Sequence, residues 1–312
     1  MRLVFLGTPE FAAPTLEAVA AAGHRLLEVV TQPDRPSGRG QPLAASPVKQ
    51  AALRLGLPVY QPERIKHLEA GAHLAELGPD AMVVVGYGQI IPQSVIDIPP
   101  LGILNVHASL LPKYRGAAPI QWAIARGEMR TGVTTMRIDA GLDTGDILLH
   151  RATEIGAEET ALELGVRLAA MGAELLVATL AALEKGSIVP VPQDSTQATY
   201  APLLKKEDGR IDWRRPAAEI HNRVRGLLPW PGSYAGFHGQ RLHLWKTRPG
   251  AGAAGAPGTL RAAKGRLWVA CGGNSSLEVL EVQLEGRKRM PASAFLAGQH
   301  LSDNEVLGES GE

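Results

Sequence analysis

Over the first half of the chain, short aliphatic runs alternate regularly with longer helical segments, and this alternation constrains the fold more than any other feature. Buried strands are predicted at residues 2–7, 26–32, 81–88, 103–109 and 132–139. Helices are predicted at residues 14–23, 46–56 and 159–184, the second with Ser46 as its N-cap. Strands that alternate with helices are typical of right-handed crossovers, so the sequence predicts a doubly wound, mostly parallel α/β sheet.

The pattern changes near residue 187. Residues 188–204 are rich in Pro and Thr and lack a helical period, which predicts an extended linker. A helix is predicted around 216–226, and short alternating runs separated by glycines follow it. These runs predict a small antiparallel, OB-like β-barrel. The predicted domains are therefore residues 1–187 and 205–312, with the acidic residues 302–312 loosely ordered.

Charge is distributed unevenly along the chain. Residues 1–200 carry 16 Lys and Arg against 20 Asp and Glu, a net charge of −4, whereas residues 201–300 carry 16 against 7, a net charge of +9. A basic module behind a mildly acidic one indicates a polyanionic partner, although an ordinary solvated surface would give the same balance. The basic side chains that are candidates for phosphate contacts are Lys205, Lys206, Arg210, Arg214, Arg215, Arg223 and Arg225.

Several classes of protein are not expected. Cys271 is the only cysteine, so no intrachain disulfide and no thiolate metal cluster can form. No run of about 18 uninterrupted apolar residues predicts a membrane span. The first residues lack the pattern of a signal peptide, so the cytoplasm is the expected compartment, with no membrane partner. The turn after the first strand, LGTPEF, lacks the G-x-G-x-x-G spacing of a dinucleotide site.

Candidate chemistry is concentrated in residues 103–120 and 139–148. Asn105 and His107 are two apart on a strand and share one face near its carboxyl end, while Asp143 lies between Gly141 and Gly145. Ligands of such sheets bind at the carboxyl ends of the strands. A histidine that moves protons, an amide that donates to an oxyanion and a carboxylate that orients the imidazole suit acyl transfer to an amine. Each residue taken alone is equally compatible with a structural or capping role.

These two segments resemble the signatures of the folate-dependent formyltransferases, NVHASLLPKYRGAAPIQWAI and GLDTGDIL. The resemblance implies that Asn105, His107 and Asp143 form the catalytic set. It also implies a Rossmann-like formyltransferase fold for the first domain. The residues that it implies for folate binding are Ser109, Leu110, Leu111 and Pro112 in one loop and Gly86, Tyr87, Gly88 and Ile91 in another.

Further stretches are similar to the members of this family that act on methionyl-tRNA. They are LGTPEFA, TQPDRPSGRGQPL at 31–43, SPVK and RIDW at 210–213. The resemblance implies 10-formyltetrahydrofolate as donor, the α-amine of methionine on initiator tRNA as acceptor, and no metal and no obligate protein partner. It further implies tRNA contacts by Arg35 and Arg39 of the 31–43 loop, and by Lys205, Lys206 and Arg210.

Other functions remain compatible with the same residues. The acceptor could be a different amine, such as a nucleotide-linked amino sugar, although the basic module and the 31–43 loop argue against one. A hydrolase that releases formate would use similar side chains. An RNA-binding protein that has kept only the fold would bind folate without turnover, and the intact set of Asn105, His107 and Asp143 argues against it.

Overall fold

The computed structural model describes residues 1–36, 43–252, 255–299, 301–302 and 305–308. The chain divides into two compact units. The first comprises residues 1–116, 130–154 and 165–201, and the second comprises residues 117–129, 155–164 and 202–312. The second unit therefore includes two short segments from earlier in the chain, and the domain limits 1–187, 188–204 and 205–312 stay a prediction.

The strands are β1 Arg2–Gly7, β2 Arg25–Val30, β3 Arg35–Pro36, β4 Leu43–Ala44, β5 Val59–Tyr60, β6 Ala81–Val85, β7 Ile103–His107, β8 Arg130–Arg137, β9 Ile147–Glu154, β10 Ser233–Phe237, β11 Gln240–Ala251, β12 Leu260–Ala263, β13 Arg266–Cys271, β14 Ser275–Leu284 and β15 Met290–Pro291. The α-helices are α1 Ala13–Ala21, α2 Pro47–Arg54, α3 Leu68–Leu77, α4 Gln93–Ile96, α5 Pro119–Ala125, α6 Ala161–Glu184, α7 Ala217–Gly226 and α8 Ala292–Ala297. Short 3₁₀ turns lie at Glu10–Ala12, Ser195–Gln197 and Lys206–Gly209.

The first unit is built on a seven-stranded sheet with the order β5-β2-β1-β6-β7-β8-β9. Strands β5 through β7 run parallel, while β8 and β9 add an antiparallel edge. This arrangement confirms the predicted doubly wound, mostly parallel sheet. The order of the strands reverses between β1 and β6, and in sheets of this kind the crevice at the reversal is where ligands bind.

Apolar runs explain why the central strands form. Every residue of β6 and β7 is buried, as is β1 after its first residue, which is expected for parallel strands covered on both faces. Helix α2 begins as its sequence predicts, because the Ser46 hydroxyl accepts a hydrogen bond from the Lys49 amide at 3.0 Å. The sheet thus holds the carboxyl ends of β1, β6 and β7 side by side on a rigid core.

Helix α6 is, by length and composition, the one helix in the described part of the chain that could cross a membrane. It has 24 residues and a mean hydropathy of 1.7 over its most apolar window, half of which is buried within the protein. Within the first unit it packs on the sheet: a Cβ at Gly172 would lie 2.8 Å from Val106, and the Thr179 and Thr135 hydroxyls are 2.8 Å apart. These contacts are those of a core helix.

The second unit contains an antiparallel sheet with the order β10-β11-β14-β13-β12, and β15 pairs with β14. Residues 305–308 connect the two edges of this sheet. Gly308 exchanges backbone hydrogen bonds with Gly236 of β10, while Leu307 donates to Gly258 and Glu305 accepts from Leu260 of β12. The findings therefore bear out the predicted small antiparallel domain as a six-stranded sheet whose two edges this segment links. The expectation that residues 302–312 are loose is wrong for 305–308, because these residues complete the backbone pairing.

Candidate active site

His107 ends β7 and is held by a backbone carbonyl. Its Nε2 lies 2.9 Å from the Tyr114 oxygen, and the histidine is only 6% exposed. A carbonyl oxygen can only accept, so Nε2 carries the hydrogen. In the neutral imidazole the lone pair is then on Nδ1, which lies 3.7 Å from Oδ2 of Asp143. The structure thus brings together two of the three predicted catalytic residues, with the Nδ1 lone pair of His107 on the side of Asp143.

Asp143 lies in the turn between β8 and β9, in a backbone conformation that side chains seldom adopt. Its φ is +53°, in the left-handed region. Its Oδ2 accepts a hydrogen bond from the Gly116 amide at 2.8 Å. The turn is tight, since a Cβ at Gly145 would lie 2.0 Å from the Arg137 oxygen. Strained backbone of this kind is concentrated at functional sites, where the surrounding structure has to hold it.

Asn105 lies two residues before His107, on the same face of β7. It is 9% exposed, and among the described residues its side-chain amide makes no hydrogen bond. A nearly buried amide that is not used within the protein is available to a ligand. Its N–H groups are suited to an oxygen that gains negative charge during a reaction.

The first predicted folate loop directly follows His107. Its backbone is held against β8, because the Thr134 hydroxyl donates to the Ser109 oxygen at 2.7 Å and accepts from the Leu111 amide at 3.2 Å. Leu110 packs over Gly132, where a Cβ would lie 2.6 Å from it. The Leu111–Pro112 peptide bond is cis. The four residues predicted to bind folate thus form one fixed loop that directly follows His107.

The second predicted folate segment follows β6 at the reversal of strand order. The Tyr87 oxygen accepts hydrogen bonds from the Thr8 hydroxyl at 3.0 Å and the Gln32 amide at 2.9 Å, so the loops after β1, β2 and β6 are tied together. Glycine is required at position 88, because its φ is +83° and a Cβ would lie 2.5 Å from Gln32. The backbone of this turn is the part that can face a ligand.

The side chains of Tyr87 and Ile91 belong to the hydrophobic core instead. Tyr87 is 1% exposed and Ile91 is 9% exposed, and both pack in the cluster beneath the sheet. Burial raises the pKa of the Tyr87 hydroxyl to about 12. These two residues can therefore contribute to a folate pocket through their backbone rather than through their side chains.

A depression of about 310 Å³ lies beside this turn. It is lined by Gln32, Pro33, Arg35, Glu63, Arg64, Gly88 and Gln89. Gln89 fixes its far wall by accepting from the Ile65 amide at 2.9 Å and donating to the Glu63 oxygen at 3.0 Å. Exposed Arg35 donates to Gln32 at 2.9 Å, and Arg39 lies outside the described residues.

Comparison with known proteins assigns the family. Residues 1–180 match the formyl transferase family model, and residues 203–300 match that of the formyl transferase C-terminal domain. The methionyl-tRNA formyltransferase of Solibacter usitatus is 67% identical over 310 residues, which are 99% of each chain. That of Geobacter sulfurreducens is 49% identical over 312 residues, covering 100% of this chain and 98% of its own. The chain belongs to the methionyl-tRNA formyltransferase family.

Two solved structures have the same fold as this family member. An N-formyltransferase from Helicobacter canadensis, in complex with folinic acid and dTDP-3-aminofucose, aligns with a TM-score of 0.68 at 18% identity, over 89% of this chain and 98% of its own. HypX from Aquifex aeolicus, in complex with tetrahydrofolic acid, aligns with a TM-score of 0.64 at 18% identity, over 95% of this chain and 47% of its own. At such identities the likeness concerns the fold alone.

The residues predicted to bind tRNA in this methionyl-tRNA formyltransferase family member fall into two groups. Lys205, Lys206 and Arg210 are exposed around the 3₁₀ turn Lys206–Gly209. Two further candidates are structural, contrary to expectation. Arg225 is 8% exposed and donates to the backbone oxygens of Gly156 and Glu159, while Arg223 donates to the Asp208 oxygen. Arginines that donate to backbone carbonyls in this way use these donors within the protein rather than on phosphates.

Three residues around the site were not found from the sequence. Gln193 and Thr199 belong to the segment predicted as a linker, and Arg115 follows Tyr114. The Thr199 hydroxyl accepts from the Tyr114 amide at 2.9 Å, and Arg115 donates to Gln193 at 2.8 and 3.1 Å. The Pro- and Thr-rich composition of 188–204 gave no signal of these contacts, because it is also the composition of a free connection.

Proposed function

We propose that the protein transfers the formyl group of 10-formyltetrahydrofolate to the α-amino group of methionine on initiator tRNA, with Asn105, His107 and Asp143 as the reacting groups. Membership of the methionyl-tRNA formyltransferase family supports the reaction. The arrangement around His107 is the single observation that carries the assignment of the site. Its Nε2 is bonded to the Tyr114 carbonyl and its Nδ1 lies 3.7 Å from the Asp143 carboxylate.

Bond formation requires an oxyanion to be stabilised. The neutral amine attacks the formyl carbon, and the carbonyl electrons move onto the formyl oxygen. The side chain of Asn105 has two N–H donors that no described residue uses, and it donates to this oxygen. A donor of this kind accounts for about 10²–10³ in rate in other enzymes.

Completing the transfer requires one proton to move. The attacking nitrogen becomes cationic, and Nδ1 of His107 takes its proton, because Nε2 already carries a hydrogen. The resulting imidazolium faces Asp143, whose negative charge stabilises it. His107 then protonates N10 of the folate as the bond from N10 to the formyl carbon breaks. The products are formylmethionyl-tRNA and tetrahydrofolate.

Substrate binding is assigned to separate surfaces. The loop Ser109–Pro112 and the backbone of Gly86–Gly88 receive the folate, on the rim where the sheet order reverses. Exposed Lys205, Lys206 and Arg210 bind tRNA phosphates, and the 31–43 loop approaches the acceptor stem. We place the reaction in the cytoplasm, with no membrane and no obligate protein partner.

The reaction is tested by transfer of labelled formyl from 10-formyltetrahydrofolate to charged initiator Met-tRNA, with charged elongator Met-tRNA as control. We expect formylation of the initiator and little of the elongator. Folate binding without transfer to either tRNA would disprove the acceptor and redirect the search to amino sugars and other small amines. Release of formate without any acceptor would identify a hydrolase.

Replacing His107 with Ala should abolish transfer, because the group that moves the proton is lost together with its hydrogen bond to the Tyr114 carbonyl. We expect kcat to fall by about 10²–10⁴, the range for a general acid–base group, while tRNA and folate affinities stay within about threefold. His150→Ala is the matched control, since this histidine is exposed on β9. Retention of more than about a tenth of the wild-type kcat by the His107 variant would remove His107 from its role.

A further inference from the structure

The chain segment between α6 and residue 201 packs along the first unit instead of crossing free space. Val191 exchanges backbone hydrogen bonds with Ile147 of β9 at 2.8 and 2.9 Å. At its other end, Tyr200 pairs with Arg115. Between these anchors the segment runs past both catalytic turns, the one at Tyr114–Gly116 and the one at Asp143–Gly145.

Gln193 uses its whole side-chain amide within this segment. Its Nε2 donates to the backbone oxygens of Asp143 at 2.9 Å and Gly145 at 2.7 Å. Its Oε1 accepts from the Arg115 guanidinium at 3.1 and 2.8 Å. A glutamine amide has two donor hydrogens and two acceptor lone pairs, so all four are satisfied. Gln193 thus bridges the Asp143–Gly145 turn and Arg115, and Arg115 is itself only 3% exposed.

The bridge joins the two turns that hold His107. The glutamine Nε2 donates to the backbone oxygens on either side of Thr144, in the turn where Asp143 has a φ of +53°. The glutamine Oε1 accepts from Arg115. The neighbouring Tyr114 has a φ of +60°, and its carbonyl oxygen accepts from His107. Two residues with positive φ beside one histidine need support from their surroundings, because such conformations persist only where the neighbouring structure holds them.

We propose that Gln193 is a positioning residue for formyl transfer, which holds the Asp143 carboxylate at the Nδ1 edge of His107. The inference rests on the proposed function. Gln193 acts through Asp143 and Arg115 and need not touch either substrate. A role limited to stability would predict a lower melting temperature with unchanged turnover by the folded protein, whereas a positioning role predicts a loss in kcat.

Two substitutions separate the donors from the acceptors. Gln193→Met keeps the length of the side chain and loses all four hydrogen bonds. Gln193→Glu keeps the acceptors that bind Arg115 and replaces the two donors with a carboxylate that repels the carbonyl oxygens. Because a glutamate would still accept from Arg115, now as an ion pair, Gln193→Glu remains informative if the Met variant does not fold. The control is Gln197→Met, an exposed glutamine four residues further along that bonds only to Asp194.

Initiator Met-tRNA formylation by each variant gives kcat and both KM values, and thermal melting checks folding. We expect both Gln193 variants to lose about 10- to 100-fold in kcat, the range for supporting residues around a reacting group. Each KM should stay within about threefold, and Gln197→Met should equal the wild type. A kcat within about threefold of wild type in a folded Gln193 variant would overturn the proposal.

A double-mutant cycle identifies the route of the effect. In an Asp143→Ala background, Gln193→Met should cost less than about threefold further, because the group that it positions is gone. Full additivity would overturn the proposal. A crystal structure of the Gln193→Met variant tests the geometry without any substrate: we expect the Asp143 carboxylate to move away from His107, and an unchanged turn would also overturn it. If the wild type transfers nothing to Met-tRNA, the proposed function fails, and the structure of the variant still decides the role of Gln193.

Discussion

The orientation of the His107 side chain is set by backbone atoms of neighbouring residues. The imidazole is oriented by a carbonyl oxygen, that of Tyr114, and faces the one carboxylate that is bonded to the Gly116 amide. Spacing made these side chains candidates, as two residues of one strand face and an aspartate between glycines, and the resemblance to the formyltransferase signatures implied their role. The partners that orient them are main-chain atoms, which every residue has, so their positions depend on the fold and have no signature in the sequence.

Asn105 offers a test at this scale. Asn105→Ala should lower kcat by about 10²–10³ through the loss of an oxyanion donor, and it should leave both KM values nearly unchanged. Steady-state formylation of initiator Met-tRNA measures both quantities. Asn105→Asp should be at least as slow, because a carboxylate repels the developing charge. A loss below about fivefold in the alanine variant would contradict the assignment of Asn105 as the donor.

At the scale of elements, the strands that the sequence predicted best are those that are buried along almost their whole length. Strands β1 and β6 were found because their runs are almost continuously apolar, β7 because it is rich in aliphatic residues, and the start of α2 because Ser46 caps it and Pro47 is its first residue. Strand β9 was missed because it is an edge strand with six exposed or partly exposed residues in succession, which weakens its period. The segment after α6 was predicted as a linker from its composition, and its hydrogen bonds to the first unit have no signal in the sequence.

The segment that joins the barrel edges provides a second element-scale test. Leu307 is 2% exposed in the core of the barrel, while Val306 beside it is 52% exposed. Leu307→Ala should lower the free energy of unfolding by about 2–5 kcal/mol, and Val306→Ala should change it by less than about 1 kcal/mol. Urea denaturation followed by tryptophan fluorescence measures both. Equal effects of the two substitutions would show that this segment does not contribute to the core.

Across the whole molecule, charge is separated along the chain, with a net of −4 over residues 1–200 and +9 over residues 201–300. The exposed lysines and arginines of the second region suit a polyanion, and those of α7 that bond to backbone oxygens show that not every basic residue contributes. A tRNA that binds this region should do so largely through its phosphates, so its affinity should fall steeply with salt.

Lys206→Glu tests this electrostatic assignment. The variant should weaken binding of initiator tRNA and reduce by about one the slope of log affinity against log salt concentration. Lys66→Glu makes the same change of charge at an exposed lysine of the first unit and serves as the control. Binding titrations over a series of salt concentrations give both slopes. Identical slopes for wild type and Lys206→Glu would show that Lys206 neutralises no phosphate.

Residues 305–308, which bond to both edges of the barrel, also impose an order of events during synthesis. They follow every strand that they join, so a ribosome has finished β10 through β15 before the joining residues emerge. Translation proceeds at about 5–20 residues per second. For that interval the nascent barrel has two unpaired strand edges, the feature by which β-sheets of different chains associate. Polysomes that translate this message should therefore expose these strand edges until residues 305–308 leave the tunnel.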